Sequence, residues 1–238
     1  MRLSIEYKFK SPFIPKDYRS GFVSLIKEAL DRARPDLKRS YYDTYTLKPF
    51  TFATYFPLMK GNAGEHFHVG ERVKINFSTA YIELATYLYN GFLKVRSFPF
   101  FDNVLYFERA MLRRQEVIRS EKVVFKTASP VLVSNIGSSD WFLLPGESGF
   151  VEGLNFAVSE ISKKFLGKEN ATCSFEPIQI KRKVIWHYHQ HRSSFTGVFQ
   201  LNGQPEVLQL IYDVGLGVRR SQGFGMLEVV KQECEYVK

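Results

Sequence analysis

Cysteine is scarce in this chain of 238 residues: Cys173 and Cys234 are the only two, far apart and in no C-x-x-C unit. Neither a disulfide framework nor a zinc ribbon is expected from them. No run is long and apolar enough to cross a bilayer, and the opening MRLSIEYKFK alternates where a signal peptide would carry a continuous apolar stretch. The expectation is a cytoplasmic protein with no membrane among its partners. A nucleophile elbow, a Ser/His/Asp arrangement, a low-complexity tract and the Gly-Lys-Ser/Thr run of a mononucleotide P-loop are also missing. Acidic residues are too few to balance the basic ones, 24 against 33, which leaves a net charge of +9. Apolar residues make up 45% of the chain, with 22 Phe and 13 Tyr, so disorder is excluded. Charge and aromatics together point to a polyanion such as nucleic acid.

The length allows two modest domains. Residues 2–10 put Leu3, Ile5, Tyr7 and Phe9 on one face and Arg2, Ser4, Glu6 and Lys8 on the other, the period of a half-buried strand. Residues 18–34 recur apolar at three and four, an amphipathic helix that Pro35 ends, with Lys27 on its exposed side. A tyrosine-rich connection, KRSYYDTYTLKP, leads to a strand at 50–56, the loop GNAGEHFHVG, a strand at 72–77, a helix at 80–93 and a strand from 104. This order is the split βαβ pattern, in which two helices cover one face of an antiparallel sheet and leave the other open. The second half repeats it: a strand at 123–134, a helix at 149–166, and strands at 175–191 and 196–201 with an interruption at 192–195. A short helix from Pro205 and a last strand complete the series. The polar stretch 113–121 marks the boundary. The expected fold is therefore α+β, two tandem ferredoxin-like domains with antiparallel sheets, at 1–116 and 117–238.

Residues 213–226 read DVGLGVRRSQGFGM and place Gly215, Gly217, Gly223 and Gly225 around Arg219, Arg220, Ser221 and Gln222. Glycine tolerates positive φ, so such a loop can aim several N–H groups at one anion. The arginines add forked donors that fit phosphate oxygens, and Phe224 offers a ring to a base or to the core. The alternative is a glycine-laden turn feeding a last strand. No dinucleotide fingerprint fits, because MLEVVKQ after the loop reads as strand.

This stretch resembles the G-h-G-x-x-x-S-x-G-F-G signature of the CRISPR-associated endoribonucleases of family six, the repeat-processing branch of the RAMP superfamily. FKTASPVLVS, the run SSFTGVFQLNGQPEVLQLIYDVGLG and the first helix with Pro35 look like further family segments. The resemblance implies metal-independent cleavage of CRISPR precursor RNA within the repeat, giving a 2′,3′-cyclic phosphate and a 5′-hydroxyl. It implies no cofactor. Its frequent general base is a histidine just after the first helix, but here the loop reads Lys38, Arg39, Ser40, Tyr41, Tyr42, Asp43, with Tyr42 about where that histidine stands. Lys27 and Lys48 fall at the remaining active-site positions. Tyr41, His66 and His68 are the alternatives for the missing base. A phenol and an ammonium are both poor bases at neutral pH unless their surroundings shift them. The rival reading is a non-cleaving RAMP subunit that holds CRISPR RNA beside other effector subunits; a homodimer stays open.

The remaining candidate is KRKVIWHYHQHR. As one strand over 184–192 it would put His187, His189 and His191 on one face, with Val184, Trp186 and Tyr188 under the helices. No acidic or thiol ligand stands beside the histidines, so the expectation is contact with RNA by them and by Lys181, Arg182, Lys183 and Arg192, and no metal.

Overall fold

In the computed structural model, which describes residues 1–138, 141–188 and 190–232, the alternating opening segment forms β1 (Arg2–Phe9). Its side chains Leu3, Ile5, Tyr7 and Phe9 are buried in the first of two cores. The first half continues with β2 (Phe13–Pro15), α1 (Arg19–Ala33), α2 (Pro35–Tyr42), β3 (Phe50–Tyr55), β4 (Gly61–Ala63) and β5 (His66–His68). It closes with β6 (Arg72–Thr79), α3 (Ile82–Lys94), β7 (Ser97–Phe100) and β8 (Asn103–Arg113). The second half holds β9 (Lys122–Thr127), β10 (Val133–Ser134), β11 (Phe142–Leu143), α4 (Phe150–Leu166) and β12 (Cys173–His187). After these come β13 (Gln190–Gly203), α5 (Pro205–Val214), a 3-10 turn (Arg220–Gln222) and β14 (Leu227–Gln232).

The large sheet of the first half runs β3-β6-β1-β8-β7 and that of the second β12-β13-β9-β14. Every pairing in both is antiparallel. Setting aside the added edge strand β7, both sheets place their strands in the order second, third, first, fourth. That is the ferredoxin-like order, twice in tandem, and the fold is α+β. No helix among the described residues is long and apolar enough to cross a membrane.

Pro35 ends α1 but also opens α2, because a proline at a helix's first position gives up no intrahelical hydrogen bond. Half of the expected tyrosine-rich connection is therefore helical, and this fixes where Tyr42 lies. α1 and α3 lie close together on the first sheet. Gly91 permits this, since a Cβ there would sit 2.0 Å from the Ala29 carbonyl oxygen. The expected loop GNAGEHFHVG is a hairpin of β4 and β5 that pairs with β2. The strand expected over 123–134 stops at Thr127, just before Ser129 and Pro130, since proline brings no N–H to a ladder. The expected break at 192–195 is absent. β12 and β13 pair from Cys173 opposite Gly203 to His187 opposite Gln190, with one register shift between Pro177 and Gln179, and the chain reverses beyond His187, where Tyr188 adopts φ 48°.

The second face of the first sheet is not open as the pattern suggested. Arg2, Ser4 and Glu6 are all buried, because α5 and the glycine-rich stretch of the second half lie across that face. The Arg2 guanidinium stacks 3.7 Å from the Tyr212 ring and donates to the Tyr212 carbonyl at 2.9 Å and the Leu227 carbonyl at 2.5 Å. It also pairs with Glu228 at 2.9 Å. Burial draws its pKa down and Glu228 opposes this, so a buried charge is kept only because partners surround it. On the same face Glu6 is held by Lys74 and Arg109, both at 2.9 Å, which lower its pKa.

Candidate functional site

Leaving α5, the glycine-rich stretch doubles back into the joint between the two sheets. Gly215, Gly217, Gly223 and Gly225 all have φ between 74° and 92°. A Cβ on Gly217 would sit 2.2 Å from the Leu132 carbonyl oxygen, and one on Gly225 2.1 Å from that of Leu216. Six of the loop's N–H groups are engaged within the chain. Gly215 donates to Ile211, Leu216 to Gly225, Val218 to Leu132, Gln222 to Arg219, Gly223 to Arg220 and Gly225 to Pro130. Buried backbone donors must be paired, and these six find carbonyls of their own chain, so they are not open to an anion. Arg220 follows the same logic. Its guanidinium is buried, donates to the Val214 carbonyl at 2.9 Å, and has its pKa pulled down to about 10 by burial. Phe224 is buried too, between the Arg19 guanidinium and the His187 ring, each 5.1 Å away, while its carbonyl accepts from Thr51 at 2.7 Å. Arg219 and Ser221 are half-buried, and Arg219 lies 5.3 Å over the Phe142 ring.

The histidine run is also rearranged. Because the chain reverses beyond His187, that residue and His191 sit on different strands and opposite faces. His187 is fully buried, with Nε2 2.9 Å from Gln222 Oε1 and Nδ1 3.6 Å from the Asp17 carboxylate. Burial lowers its pKa against the opposite pull of Gln222 and Asp17. Val184, expected under the helices, is exposed. His191 stays exposed and meets Trp186 edge-on at 4.6 Å. His189 lies outside the described residues. Arg192 is buried over Phe142 at 5.3 Å, and Arg182 turns away to pair with Glu147 at 3.1 Å.

Lys181 and Lys183 alternate with Arg182 and therefore face the other side. There, with Arg19, Lys126, Gln179 and the outer edge of Gly223, they line a cleft of about 420 Å³ between the two halves. None of the described residues that line it is acidic. Arg19 and Lys126 were not singled out in the sequence. Arg19 starts α1 and Lys126 ends the alternation of β9, so each looked like an ordinary solvated charge.

A second group assembles on the first unit. Lys27 comes from α1, Tyr42 from the last turn of α2, and Lys48 from the segment entering β3. The Lys27 ammonium lies 4.7 Å and the Lys48 ammonium 4.9 Å from the centre of the same Tyr42 ring. Two cations on one ring are each held by about 0.5–2 kcal/mol. The Tyr42 hydroxyl is buried and makes no hydrogen bond. Burial, and then Tyr188 reaching over from the second unit, push its pKa above the ordinary phenol value. Burial, and then Lys27, draw that of Lys48 down. The arrangement offers two amines, of which Lys48 is eased toward its neutral form, and one protonated hydroxyl without a hydrogen-bond partner.

The alternatives lie apart from this group. Tyr41 faces Tyr81, and burial pushes its phenol up to about 12. His66 and His68 sit on β5, where His68 packs edge-on against Phe13 at 4.9 Å. Among the described residues no three His, Cys, Asp or Glu side chains come together as metal ligands.

Residues 113–229 match the family model described as CRISPR associated protein Cas6, C-terminal. A CRISPR-associated endoribonuclease Cas6 of Pyrococcus furiosus is 24% identical over 249 aligned positions, covering 96% of this chain and 88% of the relative. Among solved structures, one titled as the characterization of a Cas6-related gene from Pyrococcus furiosus superposes with a TM-score of 0.84. It covers 98% of this chain and 99% of its own at 19% identity. Another, titled as an RAMP protein binding different RNA substrates, gives 0.82 at 17% identity over 97% and 100% of the two chains.

Proposed function

From the match of residues 113–229 to the family model described as CRISPR associated protein Cas6, C-terminal, we propose that the chain is a metal-independent endoribonuclease that binds CRISPR precursor RNA and cuts it within the repeat. The observation that carries the reading is the convergence of Lys27 and Lys48 on the half-buried Tyr42. Residues 1–116 and 117–238 then act as two units sharing one RNA, whose phosphates run along the cleft of Arg19, Lys126, Lys181 and Lys183.

Cleavage needs a base for the 2′-hydroxyl, an acid for the leaving 5′-oxygen, and positive charge at the phosphorane. Lys48, with its pKa drawn down, takes the 2′-proton in its neutral form. The 2′-oxygen attacks phosphorus, the bond to O5′ breaks, and the leaving oxygen takes a proton. Tyr42 stays protonated because its pKa is raised, so its O–H donates to the phosphate or to that leaving oxygen. The Lys27 ammonium balances the charge on the equatorial oxygens. The products are a 2′,3′-cyclic phosphate and a 5′-hydroxyl.

One observation favours a second reading, a non-cleaving subunit that holds CRISPR RNA: none of the described histidines touches the Lys27, Tyr42 and Lys48 group. Incubating the protein with end-labelled repeat RNA in chelator separates the two. Cyclic-phosphate product that disappears in Lys48→Ala, with RNA still bound, supports the enzyme. Intact bound RNA supports the subunit, and failure to bind RNA removes both.

A further inference from the structure

Beside the cationic cleft lies a second cavity of about 700 Å³ with a different chemistry. Trp186, Tyr188 and His191 come to it from the two arms and turn of the β12–β13 hairpin, and Phe101 from the turn between β7 and β8. Aromatic surface is seldom left in water without use, yet Phe101 is 49% and Tyr188 45% exposed. Both adopt positive φ, 53° and 48°, a conformation uncommon for aromatic residues and found where the surrounding structure holds a side chain in place. The rest of the lining includes Asp17 and Glu65, carboxylates that repel a phosphate but accept hydrogen bonds from amino groups.

The two cavities share no lining residue but are lined by neighbouring stretches of the chain. Tyr18 and Arg19 line the first, Lys16, Asp17 and Ser20 the second; along the hairpin, Lys181 and Lys183 line the first, Trp186 and Tyr188 the second. Lys181 and Lys183 face one side of the hairpin and Trp186 the other, so an RNA whose phosphates lie on the lysines reaches the aromatic cavity by passing around the end of the hairpin. We propose that this cavity is a subsite for one unstacked nucleobase of the bound RNA, taken against the Trp186 and Tyr188 rings, with its amino edge toward the Asp17 and Glu65 carboxylates. The proposal rests on the RNA-binding reading above and adds a preference: cytosine, adenine or guanine over uracil, which has no amino group.

The test uses fluorescently labelled cytidine and uridine decaribonucleotides, which share ring size and backbone and differ at the edge, with binding read by anisotropy. The wild type should hold the cytidine decamer about tenfold more tightly. Glu65→Gln should shrink that ratio severalfold. Trp186→Ala should weaken the cytidine decamer about tenfold, with most of the loss restored by Trp186→Phe. Lys181→Ala/Lys183→Ala should weaken both decamers and leave their ratio intact. Equal affinities in the wild type, or a Trp186→Ala variant that binds like the wild type, overturn the subsite while salt-sensitive binding leaves the RNA reading standing. If neither decamer binds, the subsite and the RNA reading fall together.

Discussion

The glycine-rich stretch and the cationic cleft beside it look alike on paper and differ in how their polar groups are used. In the stretch, several donors that could serve an anion are already engaged: Gly215, Leu216, Val218 and Gly225 donate to backbone carbonyls, and Arg220 to Val214. Across the cleft, Arg19, Lys126, Lys181 and Lys183 line one cavity with no acidic residue among its described lining. The loop thus acts as the joint that holds two sheets at a fixed spacing, and the cleft as the surface that spacing creates. Sequence chemistry that suits a phosphate does not place a phosphate when the fold has closed over its donors.

The largest expected effect separates the Lys27, Tyr42 and Lys48 group from both regions. Lys48→Ala should slow cleavage of repeat RNA by about 10²–10³-fold with affinity nearly unchanged, because on the proposed mechanism it removes the acceptor of the 2′-proton. The pH profile sharpens this. On the proposed mechanism Lys48 acts when neutral, and its pKa is lowered, so the wild-type rate should rise with pH and level off below the ordinary lysine value. The variant should lose that rise.

Next in size is the joint. Gly217→Val should cost about 3 kcal/mol, from a left-handed backbone and a side chain driven at the Leu132 carbonyl. The measurement is a fall in Tm of about 6–12 °C. Arg220→Met should cost about 1–3 kcal/mol, since the Val214 carbonyl loses its donor, and leave the salt dependence of RNA binding as it was. A change in salt dependence instead would return Arg220 to the RNA surface. Smallest in stability but visible in binding, Lys181→Ala/Lys183→Ala should leave Tm in place and reduce the slope of log affinity against log salt by about 1.4.

Much of the architecture was legible because helix and strand periods are local. The spacing of Phe22, Leu25, Ile26, Ala29 and Leu30 implies a helix whatever it packs on, and these residues are buried as that spacing requires. Pro35 misled, since one residue that stops a helix can also start another. The histidine run misled for a different reason: read as one strand it has one polar face, but a reversal beyond His187 turns that residue into the core.

By itself the sequence determined two ferredoxin-like units, a basic balance of charge, and Lys27, Tyr42 and Lys48 as the residues proposed for cleavage. Tertiary structure alone decided that both lysines meet one tyrosine ring, that Arg220, Phe224 and His187 are interior, and that Arg19 and Lys126 join Lys181 and Lys183 in one cleft. The reason is physical: period and propensity act over a few residues, whereas burial and charge pairing depend on which distant segment covers a face, and here α5 and the glycine-rich joint cover the first sheet.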